Sequence, residues 1–402
     1  MAIDTREELI NALHVASEIE HSLLVQYLYA GLSIKRGLDE GLSTNQQRLL
    51  RDWQARIYQI AREEMGHLGI VCNLLAAIGA APKFGRRFLP SPTGYFPFPF
   101  DLIPFSDEAL YRFLVFELPR GFPPPPPLGA DLSGVAGPLV VPEPLEYEYV
   151  GELYAQIAEG FQAIPEPDLF LGPQAAQSEN NWSDPSLDIR PVAGRNGALA
   201  AISNVIEDGE GTPQNSERSH YAGFVAIRQR YFEEGRFDGA RRVPRNPATR
   251  PSPDGAPVNL IVNTRSRELV ELFNASYAIM LLMLQHYFSI APRTNGEKTL
   301  RSGLQQASQR IMSVALRPLA EEATRAPLGD PADPKRAGPS FEIYSDVSLS
   351  PYPEARLPIL LERLDGLVAG CLELGREQPR IAAIGETLAI LRGDLADSGR
   401  VA

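Results

Sequence analysis

Cysteine, histidine and long apolar runs are all scarce in this chain of 402 residues. Its two cysteines, Cys72 and Cys371, are too few for a disulfide framework. Two thiols outside a CxxC motif also cannot by themselves hold zinc or an iron–sulfur cluster. A metal site in this protein must therefore be built from glutamate, aspartate and the five histidines.

Positive charge is scarce as well, because 38 lysines and arginines stand against 50 acidic residues, giving a net charge of −12. Nucleic acids and anionic membranes bind positive surfaces, so we expect neither as a partner. Residues 277–284 are apolar, but this stretch is shorter than the roughly 20 apolar residues that cross a bilayer. Residues 1–20 contain acidic side chains where a secretory signal would begin with basic ones. We therefore predict a cytoplasmic protein.

Proline, by contrast, is abundant: the chain has 36 prolines, about 9% of its residues against a usual ~5%. Many of them lie within 82–144, which includes a run of five at 123–127, and within 164–196. Proline is not tolerated inside helices. The sequence therefore predicts two long proline-rich insertions, at 82–144 and 164–196.

The rest of the chain has helical periodicity. Thr5 with Glu8 and Ser43 with Gln46 are capping-box pairs, each followed by a long amphipathic pattern, so the first eighty residues are predicted to form an antiparallel helical hairpin. We predict an all-α protein, in which residues 1–235 form a metal-binding bundle and 236–402 supply additional helices packed on it. Further helices are predicted at 106–118, 145–163, 197–209, 216–234, 266–289, 302–324, 357–374 and 379–391.

A carboxylate and an imidazole interrupt the apolar stripe of the second predicted helix. Glu64 and His67 continue a series with Ile57, Ile60 and Val71 in which the intervals alternate between three and four residues. All five side chains therefore lie on one face of the helix. An unpaired buried carboxylate costs several kcal/mol, so Glu64 needs a cation or a proton as a partner. Glu-x-x-His is also the spacing that directs two ligands of one helix at one metal.

Two other segments have matching features. Glu20 lies on the apolar face of the first helix, and a second Glu-x-x-His occurs at Glu217 and His220, again followed by an apolar stripe. A dimetal site of this type needs one more glutamate. Glu152 and Glu210 are the candidates; we favour Glu152, whereas Glu210 could instead compete with Glu217.

Several segments resemble a known family, the ferritin-like domain named after iminophenyl-pyruvate dimer synthase of violacein biosynthesis. The main ones are EHSLLVQYLY at 20–29 and AREEMGHL at 61–68, with shorter similarities at 151–154, 209–211, 219–221 and 337–341. The resemblance spans residues 8–345 and implies a ferritin-like four-helix bundle that binds iron or a related metal. The long proline-rich insertions and the additional C-terminal helices depart from a minimal bundle of this family, which argues against iron storage.

The first hypothesis is thus a non-haem dimetal oxidoreductase. Glu20 and Glu152 would be terminal or bridging ligands, and Glu64 with Glu217 or Glu210 would bridge two iron ions, manganese being the alternative. His67 and His220 would be terminal ligands. Tyr27, about two turns from Glu20, is a hydrogen-bond donor beside the metals, a redox-active group or a core tyrosine with a satisfied hydroxyl.

Such an enzyme would use O2 or peroxide to oxidise a small organic, amino-acid-derived substrate of secondary metabolism; a homodimer is a candidate assembly. The second hypothesis is a metal-binding or peroxide-detoxifying protein without an organic substrate. The third is a structural module whose metal site is vestigial.

Overall fold

Two capping boxes begin the first two helices, as predicted. In the computed structural model, helix α1 (Arg6–Ser33) follows Thr5 and helix α2 (Thr44–Ala77) follows Ser43; in both, the cap side chain accepts a hydrogen bond from the backbone N–H three residues on. The two helices pack against each other along their lengths. The predicted antiparallel hairpin is therefore confirmed. The structure describes residues 3–119, 150–179, 187, 189–209, 219–344 and 347–400.

Five more α-helices belong to the described residues of the first half of the chain. Helices α4 and α6 pack against each other and against α1 and α2, respectively, while α7 packs on α2 and α3. These contacts form a bundle around the hairpin. Two strands of two residues each, β1 (Pro247–Ala248) and β2 (Asn259–Leu260), pair in parallel beyond it. The helices are α3 (Asp107–Phe116), α4 (Val150–Ala163), α5 (Glu166–Leu169), α6 (Arg195–Gly209) and α7 (His220–Glu233).

The C-terminal helices form a second bundle. Helix α8 packs on α9 and α11, and both of these pack on α12, so the four helices close a ring of contacts. The sequence predicts only additional helices here, and the domain boundary at 235 stays a prediction. The elements are α8 (Thr264–Phe288), α9 (Asn295–Ile311), α10 (Arg317–Ala323), α11 (Pro353–Gly375) and α12 (Pro379–Arg400).

The single helix predicted over 302–324 is interrupted. A capping box of Thr294 and Glu297 begins α9 earlier than predicted, and a π-helical segment, Met312–Leu316, separates α9 from α10. Pro318 lies in the first turn of α10. Proline cannot donate a backbone hydrogen bond and its ring crowds the preceding turn, which accounts for the change of helical pitch.

Residues 277–284 belong to α8, which is long and apolar enough to cross a membrane by length and composition. However, 67% of the apolar 18-residue stretch of this helix is buried inside the protein. Its apolar residues, such as Phe273 and Met283, belong to the core. The burial of α8 thus explains its composition.

The described part of the first proline-rich insertion is packed on the bundle. Phe84, Phe96 and Phe100 are buried, and the rings of Phe96 and Phe100 contact Phe116 at the end of α3. The proline run at 123–127 lies outside the described residues, as do residues 180–186 of the second insertion. The described part of the first insertion therefore extends the core and fixes α3 against the bundle.

Candidate metal centre

Three predicted ligands meet in the bundle. Glu64 and His67 lie one turn apart on the inner face of α2, and His220 is the first residue of α7, where Ser219 caps the helix by accepting a hydrogen bond from the N–H of Ala222. One ligand atom from each of Glu64, His67 and His220 can be chosen so that all three lie within 4.8 Å of one another. All three residues are at most 3% exposed. Two distant parts of the sequence therefore share one buried site.

Glu64 lies between the two histidines. Its Oε2 is 3.2 Å from Nδ1 of His67, and its Oε1 is 2.9 Å from Nδ1 of His220. The two imidazole rings are nearly parallel, with centroids 5.4 Å apart. A carboxylate that directs one oxygen to each histidine is arranged as a bridging ligand would be.

Two further carboxylates flank this arrangement with near symmetry. Oε2 of Glu20 on α1 lies 3.6 Å from Nδ1 of His67, and Oε2 of Glu117, which follows α3, lies 3.6 Å from Nδ1 of His220. Both residues are buried. Each histidine thus has a carboxylate of its own in addition to the shared Glu64, which divides the site into two similar halves.

A buried tyrosine holds each flanking carboxylate. The Tyr154 hydroxyl on α4 donates to Oε1 of Glu20, and the Tyr27 hydroxyl on α1 donates to Oε1 of Glu117 at 2.5 Å. Burial, followed by the charge of a neighbouring glutamate, raises the pKa of both tyrosines well above the usual value, so both remain neutral donors. These bonds leave the second oxygen of each carboxylate facing a histidine.

Two more acids approach the histidines from the outer side. Oε2 of Glu63 lies 3.1 Å from Nε2 of His220, and Oδ2 of Asp208 on α6 lies 3.7 Å from Nε2 of His67. Glu63 is partly buried and Asp208 is half-exposed. Every ring nitrogen of both histidines therefore has a carboxylate nearby.

Burial and charge oppose each other at the histidines. Burial alone would lower the pKa of His67, but Asp208, Glu20 and Glu64 raise it well above its usual value. Burial likewise opposes protonation of His220, and Glu64 and Glu117 raise its pKa well above normal. Burial and the charge of Glu64 raise the pKa of Glu20 to about 7. In the metal-free protein, protons on the histidines therefore balance the buried acids.

The donor set fits a metal of the iron or manganese type. Oε2 of Glu20, Nε2 of His67 and both ring nitrogens of His220 are buried, and none makes a hydrogen bond with correct geometry to any described residue. Buried polar atoms are rarely left without a hydrogen bond. Carboxylate oxygens combined with imidazole nitrogens suit iron and manganese. The misaligned nitrogens and the surplus of acids are consistent with a site built for cations.

The sequence-predicted residues separate into three groups. Glu20, Glu64, His67 and His220 come together, and Tyr27 contacts the group through Glu117. Glu152 lies partly buried on α4 and has no contact with this cluster among the described residues, because α4 directs Tyr154 inward instead. Glu210 and Glu217 lie outside the described residues. Their ligand roles, like those of the four residues that meet, stay predictions.

Glu117, Glu63 and Asp208 were not predicted. The sequence does contain a signal for Glu117, because this glutamate directly follows the apolar residues 113–116 on a predicted helix. Glu20 and Glu64 likewise interrupt the apolar stripes of their own helices. Glu63 and Asp208 resemble ordinary surface acids in the sequence. Only the packing of α6 and α7 on α2 brings them to the histidines.

A cleft of about 680 Å³ opens beside the site. This volume is typical of pockets for small molecules. Glu63 and Asp208 form part of its wall. The cleft therefore connects the outer side of both histidines with the surface of the described structure.

The chain is similar to one family model and to two curated proteins. A family model described as ferritin-like matches residues 13–229. A dichlorochromopyrrolate synthase of Lentzea aerocolonigenes is 30% identical over an alignment that covers 85% of this chain and 36% of that protein. A 2-imino-3-(indol-3-yl)propanoate dimerase of Chromobacterium violaceum is 27% identical over an alignment that covers 86% of this chain and 35% of that protein.

Solved structures show the same fold. The crystal structure of a ferritin-like protein from Caulobacter vibrioides matches with a TM-score of 0.52 and 21% identity, covering 85% of this chain and all of that one. At this identity the match supports the architecture alone. The chain spans about a third of the length of the two curated relatives.

Proposed function

The chain belongs to the ferritin-like family, and on this basis we propose that it is a non-haem dimetal oxidoreductase acting on a small organic substrate. The family resemblance and the all-α fold predicted from the sequence are both confirmed. The observation that carries the proposal is the arrangement of Glu20, His67, Glu64, His220 and Glu117, in which two half-sites share one central carboxylate.

Two iron or manganese ions bound there would supply one-electron chemistry with O2 or peroxide as the electron acceptor. The protein's contribution is positional. Glu64 would bridge, His67 and His220 would each bind one ion, and Glu20 and Glu117 would complete the two halves. Tyr154 donates to Oε1 of Glu20, and Tyr27 donates to Oε1 of Glu117. These hydrogen bonds fix the orientation of the second oxygen of each carboxylate toward a histidine.

The names of the relatives support an amino-acid-derived substrate. One acts on a 2-imino-3-(indol-3-yl)propanoate, and the other is named as the synthase of a dichlorochromopyrrolate. Those proteins are about three times as long as the matched region, so the match covers only part of each of them. We propose for this chain the oxidation of a small aromatic or amino-acid-derived molecule. The cytoplasmic location and the homodimer stay predictions.

Metal analysis tests the proposal. The purified protein, loaded with iron(II) or manganese(II) without oxygen and then desalted, should retain about two ions per chain. The double variant Glu64→Ala, His67→Ala should retain none, while a variant of an exposed glutamate such as Glu386→Ala should behave as the wild type. Equal metal content in all three proteins would refute the dimetal site.

Oxygen consumption then tests the enzyme. We expect the metal-loaded protein to consume O2 or peroxide faster when an indole-derived amino acid or imine is added, and the double variant to show no such increase. Peroxide that disappears equally fast without an organic molecule would support the metal-binding, peroxide-detoxifying alternative instead.

A further inference from the structure

A second cleft, which we call the cationic cleft, lies at the end of the α1–α2 hairpin. Its volume of about 580 Å³ is within the usual range of small-molecule pockets. All of its described lining residues are polar, five of them are lysine or arginine, and none is acidic. Such a concentration of positive charge is unexpected in a protein with a net charge of −12. The lining is Lys35, Arg36, Thr44, Gln47, Arg48, Arg51, Gln54 and Arg317.

Three parts of the chain supply these cations. Lys35 and Arg36 follow α1, and Arg48 and Arg51 lie one turn apart on α2. Arg317 begins α10, directly after the π-helical segment. Segments of this kind are frequent at functional sites. The cationic cleft therefore lies where the helical hairpin meets the C-terminal helices.

Hydrogen bonds fix the inner part of the cleft. Nε2 of Gln47 donates to the backbone carbonyl of Arg36 at 2.7 Å, and Nε2 of Gln54 donates to that of Gly31 at the same distance. Oε2 of Glu40 accepts a hydrogen bond from the backbone N–H of Arg36, also at 2.7 Å. The backbone that follows α1 is thus held against α2 without any ligand.

Acidic neighbours balance part of the positive charge. Nζ of Lys35 lies 2.8 Å from Oδ2 of Asp238. Oε1 of Glu321 lies 2.6 Å from Nη1 of Arg36 and 2.9 Å from Nε of Arg317. One carboxylate is therefore shared between two guanidinium groups, so their combined charge exceeds that of their acidic partner.

The two arginines of α2 have no acidic partner among the described residues. Arg51 makes neither an ion pair nor a hydrogen bond with any of them, and Arg48 donates to the neutral side chain of Asn45 at 3.2 Å. Both arginine side chains are exposed on one face of the helix, where like charges one turn apart repel each other. Five cations with two acidic partners leave three positive charges at the cationic cleft.

We propose that the cationic cleft binds a compact anion of the phosphate class that carries two or more negative charges. Guanidinium groups offer paired donors that match the oxygens of a phosphate group. A lining without apolar side chains does not suit the carbon skeleton of an organic acid, whereas a phosphate or diphosphate presents oxygens on every side. Arg48 and Arg51 bind the anion from α2, and Arg317 binds it from α10.

This site is separate from the candidate metal centre. Residues 51 and 64 of α2 are about 20 Å apart along the helix axis. The anion therefore takes no part in chemistry at the metals, and its binding does not depend on the proposed function. It instead joins α2 to α10, so it should raise the melting temperature of the protein in proportion to its affinity.

Calorimetric titration of the full chain with inorganic pyrophosphate tests the proposal. The protein is kept metal-free because pyrophosphate itself chelates metals. We expect the wild type to bind one pyrophosphate at submillimolar concentration, and more weakly as salt is added. Arg51→Gln and Arg317→Gln should each weaken binding by about tenfold, because each removes a hydrogen bond to a charged group.

Matched variants separate the site from general electrostatics. Arg363→Gln removes another exposed helical arginine that has no partner among the described residues, and it should leave the affinity unchanged. Arg51→Lys keeps the charge without the planar fork and should retain part of the affinity. The double variant Glu64→Ala, His67→Ala should bind pyrophosphate as the wild type does.

Four results would overturn the proposal. The first is a wild-type protein that does not bind pyrophosphate at millimolar concentration. The second is an equal loss of affinity in Arg363→Gln and Arg51→Gln, which would mean that only net charge matters. The third is loss of binding in the Glu64, His67 double variant, which would place the anion at the metal centre. The fourth is binding of citrate, an organic acid of similar charge, as tight as that of pyrophosphate.

Discussion

Glu117 and Glu152 compete for the same role, and replacing each by glutamine tests which of them completes the site. The sequence favours Glu152, whereas the structure places Glu117 with its Oε2 3.6 Å from Nδ1 of His220. Glutamine has nearly the same shape as glutamate and its amide oxygen can still accept the hydrogen bond of Tyr27. Glu117→Gln therefore removes a charge while keeping the packing.

The magnitude follows from the geometry. At 3.6 Å and an effective dielectric constant of about 20, the attraction between Glu117 and a charged His220 is about 5 kcal/mol. The same substitution removes the repulsion between Glu117 and Glu64, which together with burial opposes the lowering of the pKa of Glu64 by the two histidines. Because the two effects oppose each other, the metal-free variant should unfold at nearly the wild-type temperature.

Metal binding has no such compensation, because a bound cation is attracted to both carboxylates. Even residues that only orient ligands change metal affinity by about 10- to 100-fold, so loss of a ligating oxygen should cost at least that much. We expect anaerobic titration with iron(II) or manganese(II), followed by elemental analysis, to give about two ions for the wild type and one for Glu117→Gln. Glu152→Gln is the matched control and should retain two.

The opposite pattern would refute the structural assignment. If Glu152→Gln loses an ion and Glu117→Gln keeps both, α4 must be rotated in the metal-bound protein so that Glu152 replaces Tyr154 at the site. If both variants keep two ions, neither glutamate is a ligand of the second half-site.

Further predictions concern the proton of Glu20, the hydrogen bond of Tyr27 and the ion pair of Arg241 with Glu40. Metal must displace the proton of Glu20, whose pKa is about 7, so affinity should rise between pH 6 and 8 in calorimetric titrations and rise less in Glu20→Gln. Because the pKa of Glu20 is raised above its ordinary value of 4.5, the metal-free fold binds more protons than the unfolded chain above that pH. The contribution of Glu20 to stability should therefore fall from pH 4.5 to 7. Melting curves that show no pH-dependent difference between wild type and Glu20→Gln would contradict this. Tyr27→Phe removes a hydrogen bond to the carboxylate of Glu117 and should lower the free energy of unfolding by about 1.5–3 kcal/mol, measured by urea unfolding. An unchanged unfolding midpoint would contradict this prediction. Arg241 is buried and donates to both carboxylate oxygens of Glu40; with the backbone N–H groups of Arg36 and Gly37 it holds the pKa of that acid at about 2 despite burial. Because the Glu40 side chain is 22% exposed, Arg241→Ala should cost about 1.5–3 kcal/mol in urea unfolding at pH 7, and a cost well below about 1 kcal/mol would show that the pair is solvated.

Local signals made half of the site predictable. Glu20, Glu64 and His67 lie on two long helices whose capping boxes and apolar stripes fix the inward face in the sequence itself. A helix rotates 100° per residue, so a stripe of several turns leaves little freedom in the direction of each side chain. These residues needed no knowledge of distant contacts.

The other half depended on packing between helices. On α4, Glu152 and Tyr154 are two residues apart and face nearly opposite directions, and a helix of 14 residues with apolar side chains around much of its surface does not reveal which of them points inward. The rings of Tyr27, Phe113 and Phe224 pack together and hold α3 against α7, which brings Glu117 to His220. Such contacts join residues that are far apart in the sequence and leave no local pattern.

The energetic cost of the site is itself an argument for a cation. Glu20, Glu64 and Glu117 lie within one apolar core, where replacement of buried charges by apolar side chains of similar volume is often stabilising. Two protonated histidines balance at most two of these three acids, the third is left to a proton on Glu20, and Glu63 and Asp208 add more acids from the outer side. A core selected for stability alone would not keep this excess. Two divalent ions would balance it, and the position of the outer acids in the wall of the cleft would give a bound molecule access to those ions.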